Sequence, residues 1–351
     1  MRRLLLPAAL CATPLAAQQT ERVALPGSDV AVYNLVGTVR VVGSGGGAGG
    51  AVAEVRRGGP DGAKLRIEAG PIGGRQALRV IYPATSILAR DMGRWSTTRL
   101  RVRDDGTFGD GDRGRPDGEP VSIGGGGVLG RGLEARADVT LHVPAGARVL
   151  VHLAVGDATV TNVEGEVRVD VEAARVAASG IRGRLSVEAG SREARVGDVE
   201  GELEIDAGSG DVIVSRIRGR SMVVDAGPGT LEGRDIAVDR LDLDLGAGRA
   251  RLSDVSAAEI SLDAGSGPVE LGLSGDVSAL DVDSGSGTVT IGIPPSLGAM
   301  VEVDAGAGGV ASQVPMTITR RTRSELSGRI GDGKGRIRVD AGSGRVLFRK
   351  S

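Results

Sequence analysis

Asp206-Ala-Gly-Ser-Gly210, Asp225-Ala-Gly-Pro-Gly229, Asp244-Leu-Gly-Ala-Gly248, Asp263-Ala-Gly-Ser-Gly267, Asp283-Ser-Gly-Ser-Gly287 and Asp304-Ala-Gly-Ala-Gly308 follow one another at intervals of 19, 19, 19, 20 and 21 residues. A fixed period in this range marks a repeat architecture, in which no unit buries its own apolar face and stacking builds one continuous core. After Gly210 the apolar residues are Val212, Val214 and Ile217, then Gly219 interrupts, then Met222, Val224 and Ala226 lead to the next corner. The same template gives Ala158, Val160, Val163, Gly165, Val167 and Val169 upstream, and Ala194, Val196, Val199, Gly201, Leu203 and Ile205 between. Apolar residues at every second position mean strands, because successive side chains point to opposite faces.

Each unit therefore holds two short strands and two glycine-marked turns. The expected fold is all-β, a single-stranded parallel β-helix or β-solenoid, with coils of about 18–21 residues stacked ~4.8 Å apart. An antiparallel sandwich of hairpins is the competing arrangement. It needs two-residue reversals between strands, whereas here the motif recurs once per pair of strands. About ten coils fit between residue 148 and the C-terminus, a rod on the order of 50 Å long.

The composition agrees with thin aliphatic layers. The 351 residues are 40% hydrophobic, with 59 glycines and only one Trp, two Tyr and two Phe. The 43 basic and 45 acidic residues are mixed along the chain, for a formal charge of −2. No basic face announces nucleic acid. Residues 1–17 read as a secretory signal, with Arg2 and Arg3, an apolar stretch and Leu15-Ala16-Ala17 before Gln18. Cys11, the only cysteine, raises lipidation as a rival, but Leu10 stands where a lipobox wants a small residue. No later stretch reaches the ~18–20 apolar residues of a membrane span. The expected location is exported: periplasmic, cell surface or extracellular.

Residues 18–89 read as irregular β coils capping the solenoid, residues 90–132 as a mobile Gly/Asp/Arg-rich insertion, and residues 133–351 as the regular solenoid. The 36 residues from Asp304 to Asp340 read as two coils with a protruding loop around 311–326, and Phe348 as the lid of the last layer.

The tract from Leu326 through Gly328-Arg-Ile-Gly-Asp-Gly-Lys-Gly335 to Val339-Asp-Ala-Gly-Ser-Gly344 and the segment Val36-Gly-Thr-Val-Arg-Val-Val42 resemble the bacterial DUF4097/DUF2807 adhesin, β-strand repeat group. The resemblance covers most of residues 23–349. It implies an exported, non-enzymatic parallel β-helix acting in adhesion or at the cell envelope, and it supplies no catalytic residues.

In-register stacking puts Asp170, Glu188, Asp206, Asp225, Asp244, Asp263, Asp283 and Asp304 in one column. Carboxylates ~5 Å apart repel by roughly 1 kcal/mol per pair even in water, so each coil needs an offsetting contact. The expected one is an Asx-turn, each Asp accepting from the amides of its own corner. The alternative is that Asp206, Asp225, Asp244, Asp263, Asp283 and Asp304 bind a divalent cation such as Ca²⁺; otherwise no metal, cofactor or catalytic residue is expected. The corner glycines are expected to supply positive φ. Asp110-Gly-Asp112 hints at an EF-hand loop but has Val121 where a bidentate Glu is required. His142 and His152 alternate with inward residues and should face solvent.

The expected function is an adhesin-like or cell-envelope binding or scaffold module with an envelope or surface protein or polymer as partner, contacted through residues 90–132 or the 311–326 loop. Arg320, Arg321 and Arg323 form a local basic cluster there. Two alternatives stand beside it: an envelope-stress sensor partnering a membrane protein, and a polysaccharide-active β-helix enzyme of the pectate-lyase type. The last lacks aromatic platforms for sugar rings on the solenoid proper and rests on fold analogy.

Overall fold

Alternation of buried and exposed side chains runs through each repeat, as in Leu231–Leu245, where Leu231, Ile236, Val238, Leu241, Leu243 and Leu245 are all buried. The computed structural model describes residues 20–45, 49–109 and 117–351. The segment expected to be a secretory signal, Cys11, and Asp110-Gly-Asp112 lie outside the described residues.

Successive repeats pair in parallel. Ala147–Thr161 pairs with Glu164–Ala189 at a step of 18 residues (Val149 beside Val167), which continues to Ala194–Ala207 (Val187 beside Ile205). The step grows to 19 at a bulge where Glu202 pairs with Ser221 and Arg220 is the extra residue. Val212–Ala226, Leu231–Leu245 and Ala250–Ala264 keep that step. Beyond them the step becomes 20, with Leu280 beside Ile260.

The two strands expected per coil are joined into one bent strand of 14 or 15 residues. One bend is a left-handed residue that recurs from coil to coil: Asn162, Gly180, Asp198, Arg216, Asp235 and Asp254 have φ between 54° and 70°. Asn and Asp visit this region at low cost. Arg216 is tethered there by two bonds to Asp198, at 2.5 and 2.8 Å.

The corner glycines have a different basis from the one expected. Gly208, Gly210, Gly229, Gly248 and Gly267 are not among the positive-φ residues. They are glycines because the coils stack too closely for a Cβ: one on Gly229 would lie 2.1 Å from the Gly210 carbonyl oxygen, and one on Gly248 1.8 Å from that of Gly229. Among the corners of the repeated motif positive φ occurs at Gly306 (44°), and it recurs from coil to coil in another glycine column, with Gly165, Gly183, Gly201 and Gly219 at 129° to 152°.

Both ends of the stack are built by tucking a strand from near a chain end between layers. Asp29–Gly43, near the start of the chain, pairs in parallel with Ala147–Thr161 on one side and with Arg75–Ile81 and Arg136–Val143 on the other. Antiparallel strands then close this end: Arg66–Ile72 on Arg75–Ile81, and Ala51–Gly58 followed by Thr20–Leu25 on Arg136–Val143. At the opposite end Gly335–Ala341 lies between Ala279–Ser284 and Ala299–Asp304, and Val346–Lys350 between Val289–Ile293 and Val310–Ser312. Glu325–Ile330 and then Thr317–Arg321 add antiparallel to finish it.

The reading of Phe348 as the lid is therefore corrected. It is fully buried, paired with Ile291 below and Ser312 above. The lid is the hairpin of residues 317–330, and residues 305–334 are an excursion from which the chain returns beneath its own previous layer.

The insertion is also more ordered than its composition suggests. Among the described residues, Ser86–Leu88, Glu119–Gly124 and Thr97–Val102 form a three-stranded sheet in that lateral order. Ile87 and Ile123 are fully buried, so the sheet shares the rod's core.

Candidate functional site

The acidic column exists, in a revised order. Strand pairing sets Glu188 beside Asp206, then Asp225, Asp244, Asp263 and Asp283 in turn; Asp340 follows, and Asp304 stands beyond it. Asp340 intervenes because its strand is tucked between the two layers. At the other end His152 pairs with Asp170 and Tyr33 with His152, so an aromatic head stands at the start of the acids.

The aspartates do not cap their own corners in the way expected. The corner amides are taken by the coil beneath: Gly208 N–H donates to Ala189 O, Gly227 to Ala207 O, Gly246 to Ala226 O and Gly285 to Ala264 O. Among the described residues the expected bond occurs at the last parallel layer, Gly306 N–H donating to Asp304 Oδ1 at 3.1 Å. Burial, reinforced by Asp206 and Asp244 on either side, pushes the Asp225 carboxyl above its ordinary value. Among the described residues no group of three or more His, Cys, Asp or Glu side chains is arranged to hold a metal ion. The column offers one carboxylate per layer, whereas Ca²⁺ needs six to eight oxygens around one point.

His152 was expected to face solvent and is instead buried, while His142 is half-buried. The outer face of Ala147–Thr161 is covered at this point. The His152 ring stacks on Tyr33 at 4.8 Å and 11°, and Phe108 of the insertion closes edge-on over both, at 5.9 and 6.0 Å. His152 Nδ1 lies 3.0 Å from Asp170 Oδ2. A Cβ on Gly109 would meet the His152 ring at 2.4 Å, so glycine is required for the insertion to sit this closely. Beneath them Tyr82 donates to Asn34 Oδ1 at 2.9 Å or Val36 O at 2.8 Å, and Asn34 donates to Ala137 O at 2.8 Å. Burial raises the Tyr82 hydroxyl pKa, keeping it protonated as this donor role requires.

Many flank charges are matched between coils. Arg175 bonds Asp157 at 2.7 Å, Arg182 bonds Glu200 at 3.2 Å and Arg336 bonds Asp281 at 3.3 Å. In the basic cluster at the far end, Arg320 pairs with Glu325 at 2.9 Å on the outermost strand, Thr317–Arg321.

The insertion departs from this matching. Arg99, Arg101 and Arg103 alternate along Thr97–Val102 and its continuation, and therefore share one face. With Leu100, Phe108 and Glu172 they line a groove of about 460 Å³ between the insertion and the rod. Two residues before this strand stands Trp95, 72% exposed, with the Arg94 guanidinium 5.6 Å from its ring centre. The other four aromatic side chains are buried. The signal for this strand was present in Thr97-Thr-Arg-Leu-Arg-Val102, which alternates cleanly but is hidden by the glycine-rich composition around it.

These features define a parallel β-solenoid rod, closed at both ends and decorated on one flank by a small sheet. The sequence pattern of the Toastrack DUF4097 family matches residues 136–347, and the chain belongs to that family. Among solved structures, a 1.95 Å crystal structure from Clostridium sporogenes, of a protein provisionally described as a cell adhesion protein, is 11% identical; the match covers 95% of this chain and 99% of that one at a TM-score of 0.22. No curated protein matches the sequence. Among the described residues no helix is long and apolar enough to cross a membrane.

Proposed function

We propose that this protein is an exported, non-enzymatic binding module of the cell envelope, an adhesin-like rod that engages an envelope or surface partner through side chains spread along its flank. One observation carries the proposal: the polar chemistry is distributed in columns, one position per coil, and the single exposed aromatic side chain stands on a lateral insertion. Distributed, rigid surfaces suit contact with an extended partner. The close stacking of glycine corners supports rigidity, because it leaves each coil little freedom to shift against the next.

Beads coated with residues 18–351 test the proposal by their retention of envelope fractions from the producing bacterium. The expected result is saturable retention that soluble protein competes away. Retention no greater than on uncoated beads overturns the binding function. Immunodetection of the native protein in the cytosolic fraction alone overturns the exported location.

A further inference from the structure

The strand Thr97–Val102 is an outer edge of the insertion sheet, paired only with Glu119–Gly124. Its hydrogen-bond phase is fixed by two observations. Gly125 N–H donates to Ser96 O, and in the same antiparallel register Arg101 stands opposite Pro120, which has no N–H to give. Alternation then turns the N–H and C=O groups of Thr98, Leu100 and Val102 toward the neighbouring strand, and those of Thr97, Arg99 and Arg101 outward. No bond from these outward groups to another part of the described chain is present.

The arginine side chains along this edge form no ion pair among the described residues. Arg99 has no carboxylate partner among the described residues, Arg101 donates to Gly118 O at 2.8 Å, and Arg103 donates to Thr107 Oγ1 at 3.0 Å. Charged edge residues normally guard against self-pairing, since a second copy would bring arginine against arginine. The same charges select for a complementary strand.

We propose that Thr97–Val102 is a docking edge for an extended acidic peptide segment of a partner protein, which adds to the insertion sheet as a fourth strand. Main-chain bonds to Thr97, Arg99 and Arg101 supply affinity, and carboxylates at alternate positions of the peptide meet the arginines. Thr97 to Arg101 spans about 14 Å, enough for a strand of five residues. Glu172 and Asp117 line the same groove as the arginines, so carboxylates are favoured only at the peptide positions that reach Arg99 and Arg101. Trp95, just before the strand, offers an aromatic anchor where the peptide leaves it.

The inference deepens the binding-module proposal by naming the site and the chemistry of its partner. Its test is selection of random ten-residue displayed peptides on immobilised residues 18–351. The expected outcome is enrichment of sequences with Asp or Glu at alternate positions and β-branched residues between them. Binding of an enriched peptide should fall about tenfold or more for Arg99→Glu/Arg101→Glu with an unchanged melt; Arg99→Gln/Arg101→Gln serves if the reversal perturbs folding. N-methylation of the peptide amides facing the edge should weaken binding as much, and N-methylation of the alternate amides should not. Absence of enrichment, equal binding by the charge-reversed or neutralised variant, or indifference to N-methylation overturns the inference. Displacement of the peptide by polygalacturonate, with polymer binding equally dependent on both arginines, assigns the site to an acidic polymer instead and also overturns it. Envelope retention that survives the charge reversal would sink this site while leaving the binding function standing.

Discussion

Gly267 stacks on Gly248 so closely that a Cβ on Gly267 would lie 1.6 Å from the Gly248 carbonyl oxygen. The obstacle is backbone, which cannot step aside as a flexible side chain can. Gly267→Ala should therefore part the two coils locally and destabilise the rod by about 3 kcal/mol or more. Gly70→Ala, on an edge strand with no neighbouring atom within 4 Å of the new methyl, should remain within about 0.5 kcal/mol of wild type. Denaturant melts of the two variants measure the difference.

Phe348 has a layer on each side, so Phe348→Ala should cost about 3–5 kcal/mol, as for an interior aromatic. A residue merely covering an end would lose far less. Chemical denaturation compared with Met300→Ala, a half-exposed side chain of the outer layer, separates the two positions.

Phe108→Ala should release the insertion rather than melt the rod. Phe108 is the described aromatic that bridges the insertion to Tyr33 and His152. Hydrogen exchange should accelerate in Glu119–Gly124, with little change in Leu231–Leu245. Uniform acceleration in both strands would contradict this division.

Asp225 provides a test by pH. Its carboxyl titrates above the ordinary value of 3.8, chiefly through burial and then through Asp206 and Asp244. A raised carboxyl penalises the fold when it is charged. The penalty is absent below the unfolded value, sets in as pH rises through the raised folded value, and is complete at neutral pH. Asp225→Asn should thus stabilise the rod at pH 7, by less than about 1 kcal/mol for so exposed a group, and be neutral near pH 3. The gain should shrink in 1 M salt. Thermal melts at the two pH values check the sign.

Calcium should leave the melt nearly unchanged. A single carboxylate per layer gives a low coordination number, and millimolar Ca²⁺ at matched ionic strength should shift the midpoint by less than about 1 °C. A shift of many degrees would show that the column gathers around an ion.

The period of Asp206, Asp225 and Asp244 and the alternation around it carried the solenoid, because local patterning there coincides with global packing. Corner chemistry was less legible. Sequence spacing does not reveal that Gly210 is short of space rather than of conformational freedom, since both demands select glycine. The order of the column failed at Asp340 for a topological reason: pairing between Gly335–Ala341 and Ala279–Ser284 skips the intervening residues, and no periodicity encodes a strand that returns under its predecessor. His152 was misplaced because its alternation identified the outward face correctly but could not foresee that Phe108 would cover it. The arginine edge was readable in Arg99, Leu100 and Arg101, and was obscured only by the composition of its surroundings.

The tucked ends also bear on force. A pull on either end of an ordinary stack peels the outermost strand, breaking one ladder bond at a time. Here a load on Val346–Lys350 enters a strand held between two layers, so extraction must work against ladders on both sides together, whereas a load at the other end meets the outermost antiparallel strand, Thr20–Leu25, first. A rod gripped along its flank would accordingly resist unravelling from Val346–Lys350, and its first yielding element under tension would be the antiparallel lid that begins at Thr20–Leu25.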